Sequence, residues 1–135
     1  MTAELKTGVA TRAIIIVDGN VLLGKREHGS GAGKFALIGG KIDEGETPEE
    51  CIVREVREEV GLELKDPTLW KKITDLKSVP GENWTIYYFI GDGKGEAVLK
   101  EDENTEIVYA NRRNFESLDL AFNHREILEE FFGLR

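Results

Sequence analysis

GKIDEGETPEECIVREVREEVGL, running from Gly40 to Leu62, is the stretch on which the reading of this chain turns. Thr47-Pro48-Glu49-Glu50 has the marks of a helix start: a hydroxyl at the N-cap, proline at the first helical position and a glutamate three residues after the cap. Gly61 supplies the matching stop. At roughly 100° per residue, Ile52, Val53, Val56 and Val60 share one arc and Glu55, Glu58 and Glu59 the next, so one side packs while its neighbour presents three carboxylates. Side chains at i, i+3 and i+4 lie close enough to repel one another strongly unless a cation sits among them. The spacing therefore points to a divalent metal site.

Working outward, Val9 to Val17 is rich in β-branched residues and leads through Asp18-Gly19-Asn20 into Val21 to Leu23, which reads as a hairpin. His28 to Gly40 carries glycine at 29, 31, 33, 39 and 40. It is expected to be a loop with a short extended piece at Phe35 to Ile38. Thr68 to Val79 and Trp84 to Ile90 read as strands around a Pro80-Gly81 turn, followed by a polar loop from Gly91 to Thr105 and a strand at Ile107 to Ala110. Asn123 with Glu126 opens a second helix whose buried face is Ile127, Leu128, Phe131 and Phe132. The expected architecture is α+β, a mixed β-sheet sandwiched between helices. Residues 1 to 135 are expected to form a single domain.

Eighteen Lys and Arg stand against 26 Asp and Glu, a formal net charge of -8, which argues against a nucleic-acid polymer as partner. A phosphorylated substrate would need metal ions as intermediaries. The single cysteine, Cys51, rules out an internal disulfide framework and suits a reducing compartment, so a cytoplasmic location is expected. Ala13 to Val17 is too short an apolar run to span a membrane, and the N-terminus lacks a signal-peptide pattern. No membrane partner is expected.

The pattern G40-x5-E46-x7-R54-E55-V56-x-E58-E59-x-G61-L62 resembles the Nudix box at every fixed position, and with its flanking strands the resemblance to Nudix hydrolases covers nearly the whole chain. It implies the Nudix fold and hydrolysis of a nucleoside diphosphate linked to another group. It further implies that Glu55, Glu58 and Glu59 bind metal together with the Gly39 carbonyl, and that Arg54 and Glu46 pin loop to helix, with Gly40 and Gly61 as structural glycines. Carboxylate and phosphate oxygens are hard ligands, which favours Mg²⁺ with Mn²⁺ as a substitute. An acidic residue from the late loop commonly approaches the metal or the attacking water in such enzymes; Glu101-Asp102-Glu103 occupies that place, with Glu103 preferred. The same cluster leaves open which carboxylate is the general base.

Arg26 and Lys41 match positions that contact phosphate in similar MutT-type enzymes. Asn123 sits where those enzymes read a purine edge, although it is equally a good N-cap. Phe35, Trp84 and Phe122 are candidates to stack on a base. Ile38 stands where many Nudix sequences have proline, which removes no ligand. Cys51 replaces a usual alanine and reads as a packed small side chain. His28 and His124 have no metal-ligand spacing and read as non-catalytic. The length and Gly29-Ser-Gly-Ala-Gly-Lys34 resemble triphosphate-cleaving members, so a dNTP or an oxidised dNTP such as 8-oxo-dGTP, cleaved to monophosphate and pyrophosphate, is the expected substrate. Pro80-Gly81 and Leu120-Ala-Phe-Asn-His124 resemble ADP-ribose hydrolases instead, and keep an ADP-ribose or nucleotide-sugar pyrophosphatase open. A Nudix-fold isomerase finds no isoprenoid signal, and a non-catalytic nucleotide sensor would be expected to have lost box carboxylates. A monomer or homodimer is expected.

Overall fold

The structure is a computed structural model describing residues 6–99 and 103–134. Glu101 and Asp102 of the acidic run lie outside the described residues. The chain runs β1 (Lys6–Val17), β2 (Asn20–Arg26), β3 (Phe35–Lys41), α1 (Pro48–Val60), β4 (Glu63–Asp75), β5 (Glu82–Lys94), β6 (Asn104–Ala110), a 3₁₀ turn (Phe115–Ser117) and α2 (His124–Phe131). The strands form one mixed sheet in the order β4-β5-β1-β3-β2-β6, with β1 parallel to β5 and antiparallel to β3. Asp18 and Gly19, both at positive φ, close the expected β1–β2 hairpin between the Val17–Asn20 pair.

Alternation along β1 decides the two faces of the sheet. Ala13 and Ile15 meet Ile52, Val56 and Val60 of α1, while Ala10 and Ile14 belong to the cluster containing Ile127 and Leu128 of α2. The helices thus cover opposite faces, which gives the expected mixed sheet between helices. Helix α1 begins as its sequence predicts: the Glu50 N–H donates to Thr47 Oγ1 at 3.1 Å and the Thr47 N–H to Glu50 Oε1 at 2.9 Å. It ends at Gly61 (φ 70°), whose N–H bonds the Arg57 carbonyl.

Several boundaries differ from the sequence reading: β1 starts earlier, at Lys6, β2 runs on to Arg26 and β6 starts at Asn104. The double glycine is part of β3, not of the loop: Gly39 pairs with Arg12 and Gly40 with Thr11. A Cβ at Gly39 would lie only 1.9 Å from the Thr11 carbonyl oxygen, so the glycine permits close strand contact rather than irregularity. Strand β4 begins at Glu63 and ends at Asp75, with register shifts at Lys65/Thr68 and Leu69/Lys71. Strand β5 continues to Lys94 through the segment read as a polar loop. Its small residues make room for neighbours, since a Cβ on Gly91 would press on Leu64 and one on Gly93 on Ile15 and Leu62.

Candidate active site

Helix α1 and strand β3 meet where Gly40 leaves space for a carboxylate. A Cβ at Gly40 would stand 2.5 Å from Glu55 Cδ. Arg54 organises the surrounding charges: its Nε donates to Glu46 Oε2 at 2.7 Å, Nη2 to Glu46 Oε1 at 3.0 Å, and Nη1 to Glu55 Oε1 at 2.8 Å and Glu58 Oε2 at 3.0 Å. This fork ties the loop to the helix and holds two of the box glutamates. The Arg54 bonds, followed by the Asp43 N–H, lower the Glu46 carboxyl to about 2.

Glu55 and Glu59 are buried, and with Glu103 they bring three carboxylate oxygens within 4.8 Å of one another. Asn104 Nδ2 donates to Glu59 Oε1 at 3.2 Å, whereas Glu59 Oε2 is buried with no hydrogen-bond partner among the described residues. Burial first, then Glu103, pushes Glu59 up to about 9; burial likewise raises Glu55. An orphaned carboxylate oxygen facing two further carboxylates is a site short of positive charge, and an all-oxygen donor set fits Mg²⁺ or Mn²⁺. Glu58 stands apart from this trio, half-exposed and turned to Arg54. Gly39 lines the cavity beside them.

That cavity, about 660 Å³, runs from Glu55 and Glu103 past Arg12, Arg26, Lys41 and Phe122 to Tyr88, Asn123 and Trp84. It brings together most of the residues singled out from the sequence, and is of a size for a nucleotide. Lys41 Nζ lies over the Trp84 ring at 5.5 Å. Phe35 is not among the lining residues; it packs against the α2-side core with Lys25 over its ring. Asn123 occupies the N-cap position of α2 but makes no side-chain cap bond, so the expected pairing with Glu126 is not formed. Its Oδ1 accepts instead from the Tyr88 hydroxyl at 3.2 Å. Cys51 is fully buried against the Thr11 hydroxyl at 3.3 Å, and burial raises its thiol to about 11. His124 is buried, its Nδ1 accepting from the Leu37 N–H at 3.1 Å, while His28 lies at the cavity wall.

The sequence reading passed over Arg12, Tyr88 and Asn104. Arg12 had a signal, being a full charge in mid-strand just before the apolar run Ala13 to Val17. Asn104 had none, because its contact with Glu59 spans 45 positions.

The NUDIX domain family model matches residues 6–131. An ADP-ribose pyrophosphatase of Methanocaldococcus jannaschii is 34% identical over 94% of this chain and 74% of its own length. The 8-oxo-dGTP diphosphatase of Escherichia coli is 36% identical over 56% of this chain and 57% of its own. Among solved structures, the MutT protein of Methanosarcina mazei superposes with a TM-score of 0.83 at 24% identity, over 96% of both chains. A family match spanning the sheet, both helices and the whole glutamate cluster establishes that the chain belongs to the Nudix hydrolases and is a Nudix pyrophosphohydrolase.

Proposed function

We propose that this enzyme cleaves a nucleoside triphosphate, a dNTP or an oxidised dNTP such as 8-oxo-dGTP, to the monophosphate and pyrophosphate. The observation that carries the chemistry is the buried Oε2 of Glu59, which has no hydrogen-bond partner among the described residues and stands in the cluster with Glu55 and Glu103. Glu55, Glu59 and Glu103 would hold a divalent cation, with Glu58 and the Gly39 carbonyl completing its protein ligands. Bound there, Mg²⁺ or Mn²⁺ supplies neutralisation of the diphosphate oxygens and acidification of an attacking water. Arg54 fixes Glu55 and Glu58 before substrate arrives, so little reorganisation accompanies the reaction. Arg26 and Lys41 line the path of the phosphate tail.

Beyond the phosphates, the Tyr88 hydroxyl occupies Asn123 Oδ1 and orients the amide at the cavity wall. An amide so held suits a base edge that offers an acceptor. ADP-ribose is the second reading, favoured by the identity to the M. jannaschii pyrophosphatase along nearly the whole chain. A panel of dNTPs, 8-oxo-dGTP, ADP-ribose, nucleotide sugars and dinucleoside polyphosphates with Mg²⁺ separates the two. Triphosphates yielding monophosphate and pyrophosphate are expected to lead. Preferential cleavage of ADP-ribose would replace the first reading with the second, and inertness toward all of them with either metal would overturn both.

A further inference from the structure

Two guanidinium groups beside the carboxylate cluster, those of Arg12 and Arg26, lack an acidic ion-pair partner among the described residues. Each is held by a backbone carbonyl instead: Arg12 Nη1 donates to the Leu37 oxygen at 2.7 Å, and Arg26 Nε to the Ser30 oxygen at 2.8 Å. Both lie against the Phe122 ring, their central carbons 5.4 Å and 5.0 Å from its centroid. Phe122 is held at φ 53°, a strained conformation for a bulky residue. All three side chains line the cavity.

The fold thus places two like charges on one aromatic ring, each with a single side-chain hydrogen bond among the described residues. Dehydration, and for Arg12 also the neighbouring Arg26, disfavours their charged forms. Glu59 and Glu103 act on both at longer range, placing the pair beside the carboxylate cluster without satisfying its donors. His124 adds no third charge. Its Nδ1 accepts from Leu37, leaving the proton on Nε2, and burial with the two arginines holds its pKa well below the usual histidine value. What the pair lacks is a compact anion with several acceptor oxygens, and a planar guanidinium matches phosphate with two parallel bonds.

We propose that Arg12, paired with Arg26 across the Phe122 ring, is a substrate-binding residue that grips the phosphate lying away from the metal-holding carboxylates. This assignment rests on the triphosphate reading for its substrate, but its anion chemistry can be tested apart from turnover. The probe is inorganic pyrophosphate, titrated calorimetrically into the whole protein with chelator present and no divalent metal. The parent is expected to bind it, Arg12→Gln to bind about 10- to 100-fold more weakly, as for loss of hydrogen bonds to a charged group. Arg12→Lys should fall between, keeping the charge but losing the fork. In the unmutated protein, the Arg12 Nε–H resonance is expected to move on pyrophosphate addition, which covers the case of a variant that folds poorly. Equal pyrophosphate affinity in folded Arg12→Gln, no binding by the parent, or an unresponsive Arg12 resonance would each overturn the proposal. Silence in the nucleotide panel alongside Arg12-dependent pyrophosphate binding would sink the triphosphate reading and leave the anion site standing.

Discussion

The two ends of the cavity are built in opposite ways. At the α1 end, Glu46, Arg54, Glu55, Glu58 and Glu59 come from one short run of chain, and a single arginine fork joins Glu46, Glu55 and Glu58 while Glu59 stands outside it. At the α2 end, Arg12, Arg26, Tyr88, Phe122 and Asn123 come from three strands and the entry to a helix, and the unsatisfied charge is positive. One end is short of a cation and the other of an anion. A metal-bound polyphosphate would supply both together, so the cation would relieve the repulsion at the first end and the phosphates that at the second.

The largest expected effect comes from removing the orphaned carboxylate. Glu59→Gln should lower kcat by about 10³-fold or more, a loss of the order seen when an electrostatic group acting in the transition state is removed. Near-normal turnover would break the assignment of the negative end. Its stability should move the other way. Glu59 is protonated in the folded, metal-free protein and ionised when unfolded, so it binds more protons folded than unfolded. Its contribution therefore falls as pH rises from about 4.5, the ordinary carboxylate value, toward about 9. Melting temperatures measured in chelator should decline across that window for the parent, and less steeply for Glu59→Gln. Parallel slopes would refute the raised carboxyl.

Arg54→Gln should reduce kcat about 100-fold, and stability by about 2 kcal/mol because Glu55 is left buried without its ion pair. Denaturant titration alongside steady-state kinetics would show it, and unchanged values in both would mean the fork holds nothing. Gly40→Ala is milder: the added methyl displaces the Glu55 carboxylate, lowering kcat about 10-fold while the melting temperature barely moves. A loss of folding with intact specific activity in the folded fraction would instead place the strain in the sheet. Smallest is Asn123→Ala, which frees the Tyr88 hydroxyl at about 1 kcal/mol and should raise KM unevenly across bases. An identical change for every base would show that the amide does not read them.

This contrast also explains what could be read from the chain. The N-cap threonine, Pro48 and Gly61 act through bonds a few residues long, so helix and glutamate face were legible together. Glu103 was placed only through the family resemblance, since its contact with the helix depends on β6 pairing with β2. Asn123 was recognised at the right position with the wrong local bond, since Tyr88, 35 positions earlier, outcompetes the helix end for its oxygen. Gly39 and Gly40 looked like loop residues because glycine's freedom is visible in a sequence, whereas the need for two backbones to touch is not. Phe35 is aromatic and close in sequence to the box, yet its face of the sheet commits it to the core.

Arg12 sits directly opposite Gly39 on adjoining strands. On the proposed reading, the β1–β3 register would act as a rigid ruler between the Gly39 edge of the carboxylate site and the guanidinium pair, graduated by hydrogen-bond pairing rather than by side-chain reach. Which bond in a chain of phosphates reaches the cutting position becomes a question of length measured along the sheet, and sliding β1 by a single residue would turn Arg12 to the other face and erase the scale.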